Sequence, residues 1–199
     1  MNYQKLLSIA GLISILFIIK SCSSPSAKQE KESETKEEFS FLERGQSIAL
    51  NAKSALGQNL IKAISEGGTA HAIEFCNIRA IPITDSLAQL QNAQIKRVSD
   101  NNRNPYNAAN ADELNYIKKV KEQIASKEEF NGEVKLIDGK WVGYYPIITN
   151  AMCLQCHGKP KEDIEPSTLA MIDEKYPNDL AKGYAINELR GIWVVEMTQ

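Results

Sequence analysis

The stretch Glu133-Val-Lys-Leu-Ile-Asp-Gly-Lys-Trp-Val-Gly-Tyr-Tyr-Pro-Ile-Ile-Thr149 passes through Asn150 into Ala151-Met-Cys-Leu-Gln-Cys-His-Gly158. Its first part predicts a β-hairpin. Glu133 to Ile137 and Lys140 to Thr149 are strand-like runs rich in β-branched and aromatic residues, joined by the turn Asp138-Gly139. A hairpin implies an antiparallel sheet. The second part places two thiols and an imidazole at the spacing Cys153-x-x-Cys156-His157 directly behind that sheet.

Upstream of the hairpin the chain reads as helical. Phe39 to Glu66 carries apolar residues at Phe41, Ile48, Ala52, Leu56, Leu60 and Ala63, close to helical spacing, and Gly67-Gly68 ends the run. Thr69 is a candidate N-cap for a helix to about Arg79, with Pro82 beyond, and Thr84 to Asn92 reads as a short third helix. Gln94 to Ser99 suits a strand, Asp100 to Asn110 an Asn-rich loop around Pro105, and Ala111 to Ser126 an amphipathic helix. Downstream, Pro166 to Tyr176 reads as a helix and Arg190 to Thr198 as a closing strand. Helices first and an antiparallel sheet after them make the fold class α+β.

The C-x-x-C-H pattern reads as a c-type haem attachment site. Thiols at this spacing can add to the two vinyl groups of one haem, and His157 then presents its imidazole as proximal iron ligand. Covalent attachment retains the cofactor even in a shallow pocket. Two other chemistries use the same residues. A redox dithiol usually opens a helix in a βαβ setting. A zinc site needs four ligands, which Cys153, Cys156, Cys76 and one histidine could supply.

The N-terminus bears on compartment. Lys5 precedes the run Leu6 to Ile19, in which Ser8 and Ser14 are the polar members, and Ser21-Cys22 follows. The run is short for a spanning helix and fits a signal-peptide core. It looks like a bacterial lipoprotein signal with Cys22 as the acylated residue, although Lys20 stands where such signals carry a small or apolar residue. An uncleaved anchor helix is the competing reading. Both readings export the remainder and tether it to a membrane, periplasm-facing or at the cell surface. The expected organisation is a signal peptide over 1–21, a flexible tether over 22–38 rich in Ser, Lys and Glu, and a folded domain over 39–199. With 199 residues, 43% apolar and a net charge of −2, the chain can bury a core and carries no basic surplus for nucleic acid.

A second axial position on a haem iron could be filled by Cys76, His71, Met152, Met171 or Met197. On one helix His71 and Cys76 point ~140° apart, so at most one faces the iron. The Cys76 face holds Ala72, Ile73 and Ala80 and would admit a flat macrocycle closely, although a free cysteine is often just a small buried hydrophobe. Arg79, Arg97 or Arg103 could pair with a haem propionate, or could simply brace the Asn-rich loop. Trp141, Tyr144, Tyr145 and Trp193 could pack on a porphyrin, but on strands such aromatics are more often core.

A wider set of residues carries a family resemblance. His71-Ala-Ile-Glu-Phe-Cys76-Asn-Ile-Arg79-Ala80, Arg97-Val-Ser99, Arg103-Asn104-Pro105-Tyr-Asn107, Glu113, the Cys153–His157 motif, Gly183-Tyr184 and Arg190-Gly191 together resemble the PAS-like single-haem c-type family, long catalogued as a domain of unknown function. The similarity runs from about Phe41 onward. Ala109 departs from the family's common proline and Asp112 from its frequent aromatic, which affects the path of that loop. The resemblance implies a PAS-like domain with a long N-terminal helix and one covalent haem c whose iron is held by His157 and Cys76. Iron closed on both sides is unsuited to catalysis, so no enzymatic activity is expected. Two roles remain: a redox- or gas-responsive sensor module working with a separate signalling protein, or a low-potential electron carrier with a redox protein partner. Members of the family that precede membrane-embedded signalling domains favour the first.

Overall fold

The computed structural model describes residues 25–198, with side chains from residue 35 onward. The leader and Cys22 therefore lie outside the described residues. The hairpin forms where its sequence pattern puts it: β2 (Glu133–Ile137) and β3 (Lys140–Ile148) pair antiparallel around Asp138 and Gly139, both at positive φ. With β1 (Ala93–Val98) and β4 (Leu189–Met197) they build one antiparallel sheet of order β1-β4-β3-β2. The architecture is α+β, as expected.

Each face of the sheet buries one helix. Alternation along β4 sends Trp193, Val195 and Met197 to one side and Ile192 and Val194 to the other. The first side packs on α1 (Pro25–Leu90) through Ile48, Ala49 and Ala52, and the second on α2 (Ala111–Ser126) through Tyr116, Ile117 and Val120. Trp141, Tyr145 and Trp193 are core on the α1 side and Tyr144 on the α2 side. All four aromatics are core residues.

Helix α1 differs from expectation at both ends. It starts at Pro25, inside the Ser/Lys/Glu stretch, rather than at Phe39. Proline suits a first helical position, and Lys, Glu, Gln and Ala are good helix formers even where nothing apolar is available to bury. The break at Gly67-Gly68 is real: Gly68 takes φ 76° and ψ −176°, a region open to glycine. Beyond it, however, one helical run continues from Thr69 to Leu90 through Pro82, where two helices were expected. Proline has no N–H to give to Ile78, but the turn is held by the buried Thr84, whose hydroxyl donates to the Ala80 carbonyl at 2.8 Å, and by Leu87 and Ala88 against the sheet.

The rest is short. Asn110 caps α2 with a capping box: its side chain accepts from the Glu113 N–H, and Glu113 accepts from the Asn110 N–H. Glu113 is 2% exposed and pairs with Lys96 of β1 at 2.6 Å, so this family-like residue joins helix to sheet. Helix α3 (Ala151–His157) follows β3, and α4 (Pro166–Lys175) packs against the second half of α1.

Gly45 lies where α1 crosses the sheet. A Cβ there would collide with the Tyr145 hydroxyl, which donates to the Leu42 carbonyl at 3.0 Å. Helix propensity favours Gly45→Ala by about 1 kcal/mol. Overpacking is expected to win, lowering stability by about 1–3 kcal/mol in denaturant unfolding.

Candidate functional site

The Cys153–His157 motif occupies α3, a helix of seven residues. The sequence pattern alone does not assign this segment to a helix. Asn150 caps it: the Asn150 side chain accepts from the Cys153 N–H at 3.2 Å and from the Cys153 thiol at 3.3 Å. Helical spacing puts Cys153, Cys156 and His157 on one face, since residues three and four apart are neighbours. Cys76, Cys153 and Cys156 are free, half-buried thiols.

The strongest constraint falls on His157. Its Nδ1 lies 2.8 Å from the Ala181 carbonyl. A carbonyl only accepts, so Nδ1 carries the hydrogen and Nε2 keeps the lone pair, the arrangement of a metal-ligating imidazole. The loop after α4 fixes the motif further: Gly183 N–H donates to the Gly158 carbonyl at 2.8 Å and Tyr184 N–H to the His157 carbonyl at 2.9 Å.

Arg103 ties the parts together. It donates to the Cys156 carbonyl at 2.6 Å and pairs with Asp179 at 3.1 Å, in a contact where the side chains are 10% and 0% exposed. The other Asp179 oxygen accepts from the Ala181 N–H at 2.8 Å, so the same carboxylate orients the residue that holds His157. Arg103 thus braces the Asn-rich loop against α3 and the loop after α4. Arg190 likewise donates to Ser99 Oγ and to the Asn101 carbonyl, both at 3.1 Å, and Ser99 Oγ donates back to the Arg190 carbonyl at 2.8 Å. A Cβ on Gly191 would press on the Val98 carbonyl, which explains a glycine where β4 meets β1. The residues of the Arg-x-Ser, Asn-rich and Arg-Gly segments thus converge behind α3. Asp179, Ala181 and the role of Arg190 escaped sequence reading, because their partners lie far away along the chain.

Cys76 reaches this place from the second half of α1. Burial pushes its thiol pKa up, while Arg97 and Arg103 pull it down. Burial likewise pushes Cys156 up to about 11, against the pull of Arg103. The His157 imidazole is held well below its ordinary 6.5, first by burial and then by Arg103 and Arg190, with the Ala181 carbonyl opposing. Arg97 of β1 lies opposite Trp193 in register, stacks over its ring at 5.5 Å and points to the α1 side of the sheet. It forms no ion pair among the described residues. Arg79 is exposed on α1 and contacts none of this. His71 is exposed, and Met197 is fully buried in the core at the far end of β4, so of these three ligating candidates Cys76 is the one that faces the cluster.

The donor set fits a haem c. Two thiols and an imidazole with its Nε2 lone pair unused share one helix face, and a third thiol approaches from α1. Arg97, Arg103 and Arg190 share the neighbourhood of His157 with one buried carboxylate, Asp179, and the Nε atoms of Arg103 and Arg190 are buried with no hydrogen-bond partner among the described residues. That excess of cation suits a ligand bearing two carboxylates. No three His, Cys, Asp or Glu groups among the described residues come together to hold a bare metal ion, so the zinc reading lacks geometric support. Two open clefts beside α2, one over Leu114 and Lys121 and one over Lys96 and Val194, include none of the cysteines.

The model of the Tll0287-like family matches residues 25–198. The chain belongs to the Tll0287-like family. This is the single-haem, PAS-like c-type family that the motifs resemble. Its fold matches the crystal structure of the cyanobacterial haem protein Tll0287 with a TM-score of 0.55 and 25% identity, covering 75% of this chain and 92% of that one. No curated protein matches the sequence. The family match includes the N-terminal part of α1 from Pro25.

Two outcomes are expected of the chain without cofactor. His157 stays neutral when folded, while the unfolded imidazole takes a proton below about 6.5, so the unfolded state binds more protons at acid pH. Stability is therefore present above about pH 6.5 and is lost as pH falls below it, with a slope approaching about 1.4 kcal/mol per pH unit. His157→Gln should flatten that slope in urea titrations run from pH 7 to 5. Arg103→Met leaves the buried Asp179 carboxylate with the Ala181 N–H and, at 3.9 Å, Lys182 as partners, and should cost about 2–3 kcal/mol in the same assay.

Proposed function

We propose that this protein binds one haem c through thioether bonds to Cys153 and Cys156, with His157 Nε2 and the Cys76 thiolate as axial ligands, and works as a redox- or gas-responsive sensor module. The observation that carries the binding reading is the His157 Nδ1 bond to the Ala181 carbonyl, which leaves Nε2 free on the helix face shared by both thiols. Membership of the family of a cyanobacterial haem protein supports it. When bound, the haem would supply a one-electron iron couple and an axial position that a diatomic gas can contest.

The chain's own contribution lies in how unequally it holds the two candidate ligands. His157 is fixed by Ala181, Asp179 and Arg103. Cys76 sits on a helical segment joined to the rest of α1 through the non-helical Gly67-Gly68. Burial pushes the Cys76 thiol toward its neutral form while Arg97 and Arg103 pull the other way; bound to iron it would be a thiolate, which favours ferric iron, and its protonation on leaving the iron would release the segment 69–90 from the cluster. This asymmetry favours sensing over plain electron transfer and makes an enzymatic role the weaker reading. The module would be exported, tethered through Cys22 to a bacterial membrane, and coupled to a separate signalling protein.

Expression of the full chain with haem-attachment machinery tests this. Wild type should gain the mass of one haem. Cys76→Ala should keep that mass but change its visible spectrum and bind carbon monoxide more readily. Absence of covalent haem, or an unchanged spectrum in the variant, overturns the site. Nitric oxide should displace Cys76 and raise protease cleavage near Gly67-Gly68. Reversible one-electron cycling with both ligands retained under nitric oxide would instead make the protein an electron carrier.

A further inference from the structure

Thr69, Ile73 and Asn77 recur every four residues on the second half of α1, and Thr168, Ile172 and Tyr176 recur every four along α4 and its C-cap. At that step each set lies along one helix edge, with neighbours ~6 Å apart. The two edges meet in order. Thr168 is fully buried, and its hydroxyl shares a hydrogen bond of 2.5 Å with that of Thr69. Ile73 and Ile172 are buried in one cluster with Ile164. The Asn77 side chain reaches the Tyr176 hydroxyl. The segment 69–77 and α4 therefore lie side by side and run in the same direction, joined at three levels. A buried hydroxyl without a partner is costly, so the Thr69–Thr168 bond fixes how the edges pair.

This clasp touches both candidate ligands of the iron. Cys76 directly precedes Asn77 and lies between the second and third levels. Tyr176 works toward both sides. Its hydroxyl meets Asn77, while its carbonyl accepts from the Asp179 N–H at 3.0 Å. Asp179 orients Ala181, which holds His157 Nδ1. The Tyr176 ring also lies beneath the Arg103 guanidinium, whose carbon is 6.0 Å from the ring centre. α4 thus reaches from the segment that bears Cys76 to the loop that bears Ala181. Any movement of Cys76 away from His157 has to part the clasp or carry α4 with it.

We propose that α4 positions Cys76 as an iron ligand and so sets how readily a diatomic gas displaces it, with Thr168 and Tyr176 as positioning residues. The inference rests on Cys76 and His157 being the axial pair. An iron position open for part of the time binds a gas with its intrinsic affinity reduced by that fraction. The closed clasp keeps the open fraction small, and a loosened clasp enlarges it. Thr168 and Tyr176 act through Cys76 and touch neither the iron nor the gas.

Carbon monoxide titration of the reduced, haem-loaded full chain tests this. Cys76→Ala should bind the gas most tightly. Thr168→Val and Tyr176→Phe should each bind it about five- to tenfold tighter than wild type, the equivalent of one hydrogen bond. Thr168→Ser keeps the hydroxyl and should match wild type. In the Cys76→Ala background, Thr168→Val and Tyr176→Phe should add nothing. If Cys76→Ala leaves the affinity unchanged, the ligand assignment fails and the inference falls with it. A Cys76→Ala effect with none from Thr168→Val or Tyr176→Phe overturns the inference alone, and so does an effect of either that persists without Cys76. A second readout needs no haem. With Cys22, Cys153 and Cys156 replaced by serine, Cys76 is the one thiol left in the chain. Thr168→Val and Tyr176→Phe should then speed its alkylation by a similar factor, and unchanged rates would show that the clasp does not hold Cys76.

Discussion

The hydrogen bond from His157 Nδ1 to the Ala181 carbonyl sets what α3 can do. Without it the imidazole could take either tautomer and rotate, and three donors on one helix face would be merely close together. With it, one nitrogen is committed and the other is presented. The bond in turn depends on Asp179, which orients Ala181 while pairing with Arg103. Arg103 reaches back to the Cys156 carbonyl, so the chain of contacts closes on the motif it supports. A buried ion pair is a weak source of net stability, but removing one partner leaves a stranded charge, and such a pair therefore fixes geometry more than it adds free energy.

The sheet supplies the platform. β1 ends, β4 begins and β3 ends at the same margin, where Val98 lies opposite Ile192 and Ile148 opposite Leu189. Arg97 and Arg190 therefore meet α3 from neighbouring strands, although 93 positions separate them along the chain. α1 does two jobs from one helical run. Its first half covers the sheet through Ile48 and Ala52, and its second half, beyond Gly67-Gly68, brings Cys76 to the cluster. The glycine break lets the two halves take different directions.

The legible features share a physical property: each is written within a few residues. The hairpin follows from β-branched and aromatic runs around Asp138-Gly139. α2 follows from its apolar spacing, and the Cys-x-x-Cys-His motif from its spacing alone. The departures arise where other forces outweigh a local signal. Pro82 should stop a helix, but Thr84, Leu87 and Ala88 carry the turn through it. The segment from Pro25 lacks an apolar face, yet helix-forming residues sustain its backbone. The roles of the arginines could not be divided from sequence, because guanidinium groups look alike until their partners are placed. Arg103 is paired, Arg190 is hydrogen-bonded to Ser99 and Asn101, Arg97 faces Cys76 from above Trp193, and Arg79 is exposed.

By itself, then, the sequence determined the α+β class, the strands and turn before the motif, the glycine break in α1 and the identity of the three donors on α3, because propensity, periodicity and spacing act locally. Only the tertiary structure decided that α3 is a helix capped by Asn150, that Ala181 selects the imidazole nitrogen, and that Asp179 answers Arg103. The last two contacts join residues 24 and 76 positions apart, and such pairings are set by how the sheet brings its ends together, which no local pattern encodes.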